Sequence, residues 1–415
     1  MKISIISILV ITTLTGCHKK IENSSASAVP ISGSNGQACC SYFTETETEE
    51  PVLVWNEVDD HGESHVYYAV WDDENQTFYN PIKIENSKGV KLNPESMAKM
   101  VFKPNGDIVA VYEVDTKSEI NPYSGEIRYV YSTDNGVSWS NPSPVHQDTS
   151  SHKGRGFFDV ELLANGEVGV AWLDATYPDG GRPLHFAQTT PENQFENEIM
   201  VENLACECCR VALESDAFGN IHLVFRNIDK IAEYEHIRDF AYSVSRDDGL
   251  TFSTPVIVSD DGWEFVGCPH TGAGFAVAGK NLHMAWYTMG GGSGLYYTSS
   301  SNSGQTFSER ELISEHGRTP QVAVSNNGRV GMVWRESSGS NIQHSDHDGH
   351  NQSASKSTIM LQIRDGHTSK NTYLLSDGNS EVSFPVIHNN GDNYLIAWTE
   401  RVNEAKKIKY KVFEP

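Results

Sequence analysis

One short pattern returns along this chain and limits its fold more than any other feature. A glycine turn leads into an apolar strand, which ends in an aromatic residue followed by polar ones. The aromatics are Trp55, Tyr112, Trp172, Phe225, Trp286, Trp334 and Trp398, at steps of 57, 60, 53, 61, 48 and 64 residues. In six of the seven repeats a glycine (Gly106, Gly166, Gly219, Gly279, Gly328, Gly391) precedes the aromatic by six or seven residues. Glycine suits a tight turn that needs positive φ. Upstream of each turn lies another apolar strand, such as Gln321–Val324, and downstream come one or two more, such as Leu295–Thr298. Helical periodicity is almost absent. Three to four antiparallel strands per period of roughly 50 residues is the pattern of a propeller blade. The expected fold is therefore all-β, a β-propeller of six or seven blades, with seven favoured by the repeat count. A two-sheet sandwich would not require such regular spacing. The last repeat ends at Pro415 after three strands, so an N-terminal segment is expected to supply the missing outer strand and close the ring. Thr44–Thr48 alternates strictly and reads as a strand with one wet face.

Three repeats carry a second motif between their outer strands: Ser132–Trp139 (STDNGVSW), Ser245–Phe252 (SRDDGLTF) and Ser300–Phe307 (SSNSGQTF). In such a motif the Ser and Asp side chains bond the turn backbone, the glycine takes the left-handed corner, and the aromatic plugs the blade. Spaced in this way, the motifs resemble the Asp boxes of the sialidase superfamily and related BNR-repeat proteins, and the resemblance covers most of the chain after the N-terminal segment. It implies a sialidase-like propeller. It also implies, for a hydrolytic member, three arginines on a sugar carboxylate, a Tyr–Glu nucleophile and an Asp acid/base. The Phe/Tyr-Arg-Ile-Pro tetrapeptide that usually carries the first arginine is missing here. Candidate arginines are Arg155, Arg210 and Arg318 at blade starts, with Arg238 just before an Asp box. Asp159 is a candidate acid, and Asp239 stands beside Arg238. Each arginine has a competing reading as an inter-blade ion pair, and no tyrosine stands out with a glutamate partner. The Asp box itself says nothing of catalysis.

The chain begins with Lys2, an apolar run from Ile3 to Ile11, and Leu14-Thr15-Gly16-Cys17. This reads as a lipoprotein signal peptide over 1–17, with Cys17 as the lipidation site and the membrane as partner through that anchor. Residues 18–38 read as a flexible tether and 39–415 as a single propeller domain. The expected location is the cell envelope. For a Gram-negative source, His18 after the cysteine favours the outer membrane or its periplasmic face. A net charge of −24 disfavours a nucleic-acid partner.

Six further cysteines stand just before the first strand of a repeat: Cys39, Cys40, Cys206, Cys208, Cys209 and Cys268, the last followed by Pro269 and His270. Shared placement predicts that they converge at the channel mouth. Two readings stay open. One is three disulfides, favoured by an even count in an oxidising compartment. The other is a thiolate and imidazole metal site formed by Cys206, Cys208, Cys209, Cys268 and His270, with donors that suit copper(I) or zinc. The insertion with His344, Asp346, His347, Asp348 and His350 reads as a solvated loop, and Met289–Gly294 as a flexible hairpin tip. Two functions are carried forward. In the first, the chain acts on or binds extracytoplasmic glycans, with exo-α-sialidase-type hydrolysis as its enzymatic form. In the second, it is a non-hydrolytic propeller with a cysteine-lined ligand or metal site.

Overall fold

The computed structural model describes residues 21–23, 27–33, 36–117, 119–150, 152–177, 180–232, 235–265, 270–337, 357–365 and 369–415. The signal peptide with Cys17, the residue Cys268 and the His344–His350 insertion lie outside the described residues. Among the described residues the regular structure is β apart from one 3-10 turn at Glu85–Ser87. Among the described residues no helix is long and apolar enough to cross a membrane.

Among the described residues Asp229–Ala232 pairs with Glu235–Ile237 as a separate two-stranded ribbon, and seven sheets of four or five strands follow one another along the chain. Their first strands are Ala38–Glu45, Lys99–Phe102, Gly156–Leu162, Ala212–Ser215, Gly274–Ala278, Gly317–Val324 and Glu381–Asn390. Each of these packs beside the next, and the seventh packs beside the first. The result is a closed seven-bladed propeller, which settles the choice between six blades and seven.

The repeat aromatics explain the ring. All seven lie on second strands and are at most 2% exposed. Their clusters cross blade boundaries: Tyr112 of blade two packs with Val52, Val54 and Tyr68 of blade one, and Trp172 of blade three with Val109 and Tyr129 of blade two. Each such ring contributes about 2–3 kcal/mol of apolar burial to an inter-blade seam. The six turn glycines before them have φ between 60° and 88°, so the sequence signal is a backbone requirement.

The Asp boxes form a second stitch. In Ser245–Phe252, the Ser245 hydroxyl donates to Asp247 (2.8 Å) and accepts from the Gly249 amide (2.9 Å). Asp247 accepts from the Thr251 amide (3.0 Å) and hydroxyl (2.6 Å). Asn302 replaces the aspartate in the third box and still accepts from the Thr306 amide at 3.0 Å. Each box glycine presses on an aromatic of the preceding blade. A Cβ on Gly136, Gly249 or Gly304 would stand 2.6, 2.5 or 2.3 Å from Tyr68, Phe186 or Tyr242.

The ring is closed by the N-terminal segment, as the three-stranded last repeat predicts, but the closing residues differ from those expected. Val29–Pro30 pairs antiparallel with Ala405–Phe413 on the outer edge of blade seven. Ile31 donates its amide to the Ile408 carbonyl (3.0 Å), and the Ile408 amide donates to the Ser32 hydroxyl (2.9 Å). Proline is tolerated there because the other side of this edge strand needs no donor. The segment read as a tether thus carries a closing strand. Thr44 and Glu45 instead finish the inner strand of blade one, and Thr46–Glu50 is the turn that follows.

Candidate functional site

Inner strands begin, and second strands end, on one face of the ring. On that face four inner strands carry a bulge whose central residue is a non-glycine with positive φ: Cys40 (65°), Phe157 (55°), Thr319 (51°) and Phe384 (48°). Such bulges re-aim side chains and hold strain at a rim. Two of these residues, Thr319 and Phe384, line the channel mouth together with Glu95, Arg210, Gly272 and Pro320 among others. Glu95 accepts the Gly272 amide (3.3 Å), and burial raises its carboxyl, partly offset by the Arg210 charge.

The residue after each repeat aromatic lies near the end of a second strand on this face and points to the opposite side of its sheet. These residues are Asn56, Glu113, Leu173, Arg226, Tyr287, Arg335 and Thr399. Among the described residues, buried polar atoms with no hydrogen-bond partner include Asn56 Oδ1, Glu113 Oε2, Arg226 Nε and Thr399 Oγ1. The nearby Arg318 Nη2 is another. Buried polar groups are normally bonded, so a concentration of orphans on one face needs an explanation.

Beside this ring runs an aromatic and cationic wall. Phe265 stacks on Trp263 (5.6 Å between centroids), and Trp263 meets Tyr287 edge-on (5.7 Å). The Arg318 guanidinium lies 3.5 Å from the Tyr287 ring centroid. Arg335 is the direct cross-strand partner of Arg318, so the two cations share a sheet face. Burial lowers both guanidinium groups below their usual value; for Arg318 the Tyr287 and Glu336 charges oppose this and the Arg335 charge adds to it. A groove of about 400 Å³ opens along Trp263, Glu264, Phe265, Met289 and Gly290. The glycine loop read as a flexible tip is part of this groove. Gly290 is buried so closely against the chain that a Cβ would stand 2.5 Å from the Asp261 carbonyl.

The residues expected from the sequence have different fates. Arg210 lines the mouth and donates to the Ala273 carbonyl (3.3 Å), and Arg318 stands in the wall. Arg238 supports that wall from beneath through Glu207 (2.6 Å), the Cys206 sulfur (3.1 Å) and the Phe265 carbonyl (3.0 Å). Asp239 fixes the groove by accepting the Gly262 (2.8 Å) and Trp263 (3.1 Å) amides. Arg155 and Asp159 make contacts within the propeller. Arg155 is 2% exposed and pairs with Asp174 (3.2 Å), while Asp159 accepts the Leu213 amide (3.0 Å) and ties blade three to blade four. Arg226, Tyr287, Arg335, Trp263 and Phe265 were missed. The first three could have been found by reading the position after each repeat aromatic. The Tyr287 hydroxyl pairs with Ser293 (3.2 Å), and Glu336 is held by Ser314 and the Trp334 indole (2.6 Å), so this tyrosine and glutamate do not form a bonded pair.

The cysteines do not converge on one site among the described residues. Cys39 and Cys40 pack with Trp55, Val386 and Ile408 at the junction of blades one and seven. Cys206, Cys208 and Cys209 pack with Phe157, Leu204 and Ile228 around blades three and four. Sharing an address within a blade does not make two blades neighbours. Among the described residues no two cysteines are bonded to each other, and Cys39, Cys40, Cys206 and Cys209 carry free thiols. The Cys206, Cys208 and Cys209 sulfurs lie within 4.8 Å of one another, but Cys208 carries no free thiol to donate, and His270 is exposed and outside this group. A second close group is Asp174, His185 and Glu198. Its members are engaged by one another and by Arg155: His185 Nδ1 lies 2.7 Å from Glu198, and Arg155 3.2 Å from Asp174.

Comparisons with known proteins agree with this fold. The polysaccharide lyase Uly1 superposes with a TM-score of 0.54 at 9% identity, covering 97% of this chain and 94% of that one. A polysaccharide lyase of the PL25 ulvan lyase family, bound to a GlcA–Rha3S unit, gives a TM-score of 0.53 at 10% identity, covering 94% and 96%. The Hadza microbial sialidase Hz136 gives 0.47 at 14% identity, covering 85% and 73%. No curated protein matches the sequence. Residues 44–396 match the BNR repeat-like domain family, and with seven like blades and their Asp-box turns on the page, the chain belongs to that family.

Proposed function

We infer that this propeller binds an acidic glycan on its channel-mouth face and is held in the cell envelope by a lipid on Cys17. One observation carries the reading: buried, unpartnered polar atoms of Asn56, Glu113, Arg226, Arg318 and Thr399 gather on the face that also bears the Arg318–Arg335 pair. A polyhydroxylated ligand would satisfy such donors and acceptors, and a carboxylate or sulfate would answer two adjacent guanidinium groups. The stacked Trp263–Phe265 wall offers an apolar face to a sugar ring. The lyase bound to a GlcA–Rha3S unit shares the fold and adds an acidic saccharide to the classes worth testing.

Binding is the core of the reading, and sialidase-type hydrolysis is its enzymatic form. Titration calorimetry of the mature chain with sialylated, uronate-containing, sulfated and neutral oligosaccharides tests the first. A fluorogenic sialoside assay tests the second, with Arg210→Ala and Arg318→Ala as controls. Equal affinity for neutral and acidic ligands would overturn the acidic-glycan assignment. Palmitate labelling lost in Cys17→Ser tests the anchor.

A further inference from the structure

Beneath the wall lies chemistry that glycan recognition does not use. Cys206 and Cys209 are spaced as a Cys-x-x-Cys pair, are both 1% exposed, and hold their sulfurs 3.6 Å apart as free thiols. Arg238 aims Nη1 at the Cys206 sulfur from 3.1 Å while Glu207 holds the same guanidinium at 2.6 Å. Arg226 adds positive charge nearby, and Arg182 faces the same sulfur from blade three. We propose that Cys206 and Cys209 form an oxidisable dithiol site that reacts with small hydroperoxides, Cys206 attacking and Cys209 resolving.

Geometry supports the division of roles. Arg238 Nη1 lies 3.1 Å from the Cys206 sulfur, a contact that stabilises a thiolate there. Cys209 holds its sulfur 3.6 Å from that of Cys206 and is placed to resolve it. Near-complete burial selects the oxidant: a hydroperoxide is small enough to enter where a protein disulfide is not.

The step balances. The Cys206 thiolate attacks the terminal peroxide oxygen, the O–O bond breaks, and the departing oxygen takes a proton to leave as an alcohol or water. Cys206 becomes a sulfenic acid. The Cys209 sulfur then attacks it, the S–S bond forms, the S–O bond breaks, and the hydroxyl leaves as water with the Cys209 proton. Two thiols are oxidised by two electrons and one hydroperoxide is reduced.

The test treats the full propeller, without prior reduction, with hydrogen peroxide and tert-butyl hydroperoxide, then maps thiols by alkylation and mass spectrometry. A Cys206–Cys209 bond is expected, lighter by two hydrogens. In Cys209→Ser, dimedone should trap a sulfenic acid on Cys206; in Cys206→Ser it should trap none on Cys209. Arg238→Gln should slow the reaction about tenfold or more at neutral pH. Thiols at Cys206 and Cys209 that stay fully alkylatable after peroxide, a bond from Cys206 to Cys208 instead, or a Cys206→Ser variant that reacts as wild type would each overturn the proposal.

Discussion

The guanidinium of Arg318 lies 3.5 Å from the centroid of the Tyr287 ring, and these two residues come from different blades. Contact of this kind holds an arginine flat and leaves its outer edge to a ligand. Arg318→Ala is expected to weaken acidic-glycan binding at least about tenfold, whereas Arg318→Lys retains part of it. Calorimetry at two salt concentrations checks this, since the affinity of the wild type should also fall with salt.

Gly304 has a φ of 78°, and a Cβ there would stand 2.3 Å from Tyr242 of the preceding blade. Gly304→Ala should therefore cost about 2 kcal/mol or more of stability from strain and overpacking combined. Urea unfolding measures it. Ligand affinity of the folded fraction should not change, because the Asp-box turns lie away from the mouth.

In the channel, burial raises the Glu161 carboxyl to about 8, with the Asp159 charge adding to it, and Glu214 opposite is raised as well. A carboxyl raised on folding keeps a proton that the unfolded chain has lost. Stability therefore falls as pH climbs from about 4.5 to about 8. Glu161→Gln weakens that dependence, and Glu214 keeps the remainder. It should match the wild type near pH 4.5 and be the more stable protein at pH 8, as read from melting curves at both pH values.

Val29–Pro30 closes blade seven. A chain begun at Gly36 should melt several degrees below one begun at Lys19, because it leaves Ala405–Phe413 as a bare edge and loses the bonds from Ile31 and Ser32. Differential scanning calorimetry of the two proteins checks this. Equal melting temperatures would mean that the closing strand is dispensable.

Sequence patterning revealed what depends on local backbone and periodic burial. The glycine before each aromatic and the aromatic itself are needed by every blade, so seven copies were visible. The closing strand was placed at the correct end but in the wrong residues. Val29–Pro30 is only two residues long and sits in polar surroundings, whereas the alternation at Thr44–Thr48 belongs to a strand end and its turn. The site was half legible. Arg210 and Arg318 announce themselves at blade starts, but Arg335 gains its meaning only from the register that sets it opposite Arg318. The cysteines show the same limit, since angular position around a ring is set by blade number and no local pattern carries it.

Pairing of Ile408 with Ser32 links residues 376 positions apart, so ring closure joins the beginning of the chain to its last strand. Six blades can form as synthesis proceeds, but the seventh cannot find its outer edge until the C-terminal strand has emerged. Contacts this distant in sequence make the last step of folding slow. Until that moment the seam between first and last blades is open. A chain exported across a membrane would meet that step only after its final residue had crossed, which makes completion of transport and completion of the fold a single event.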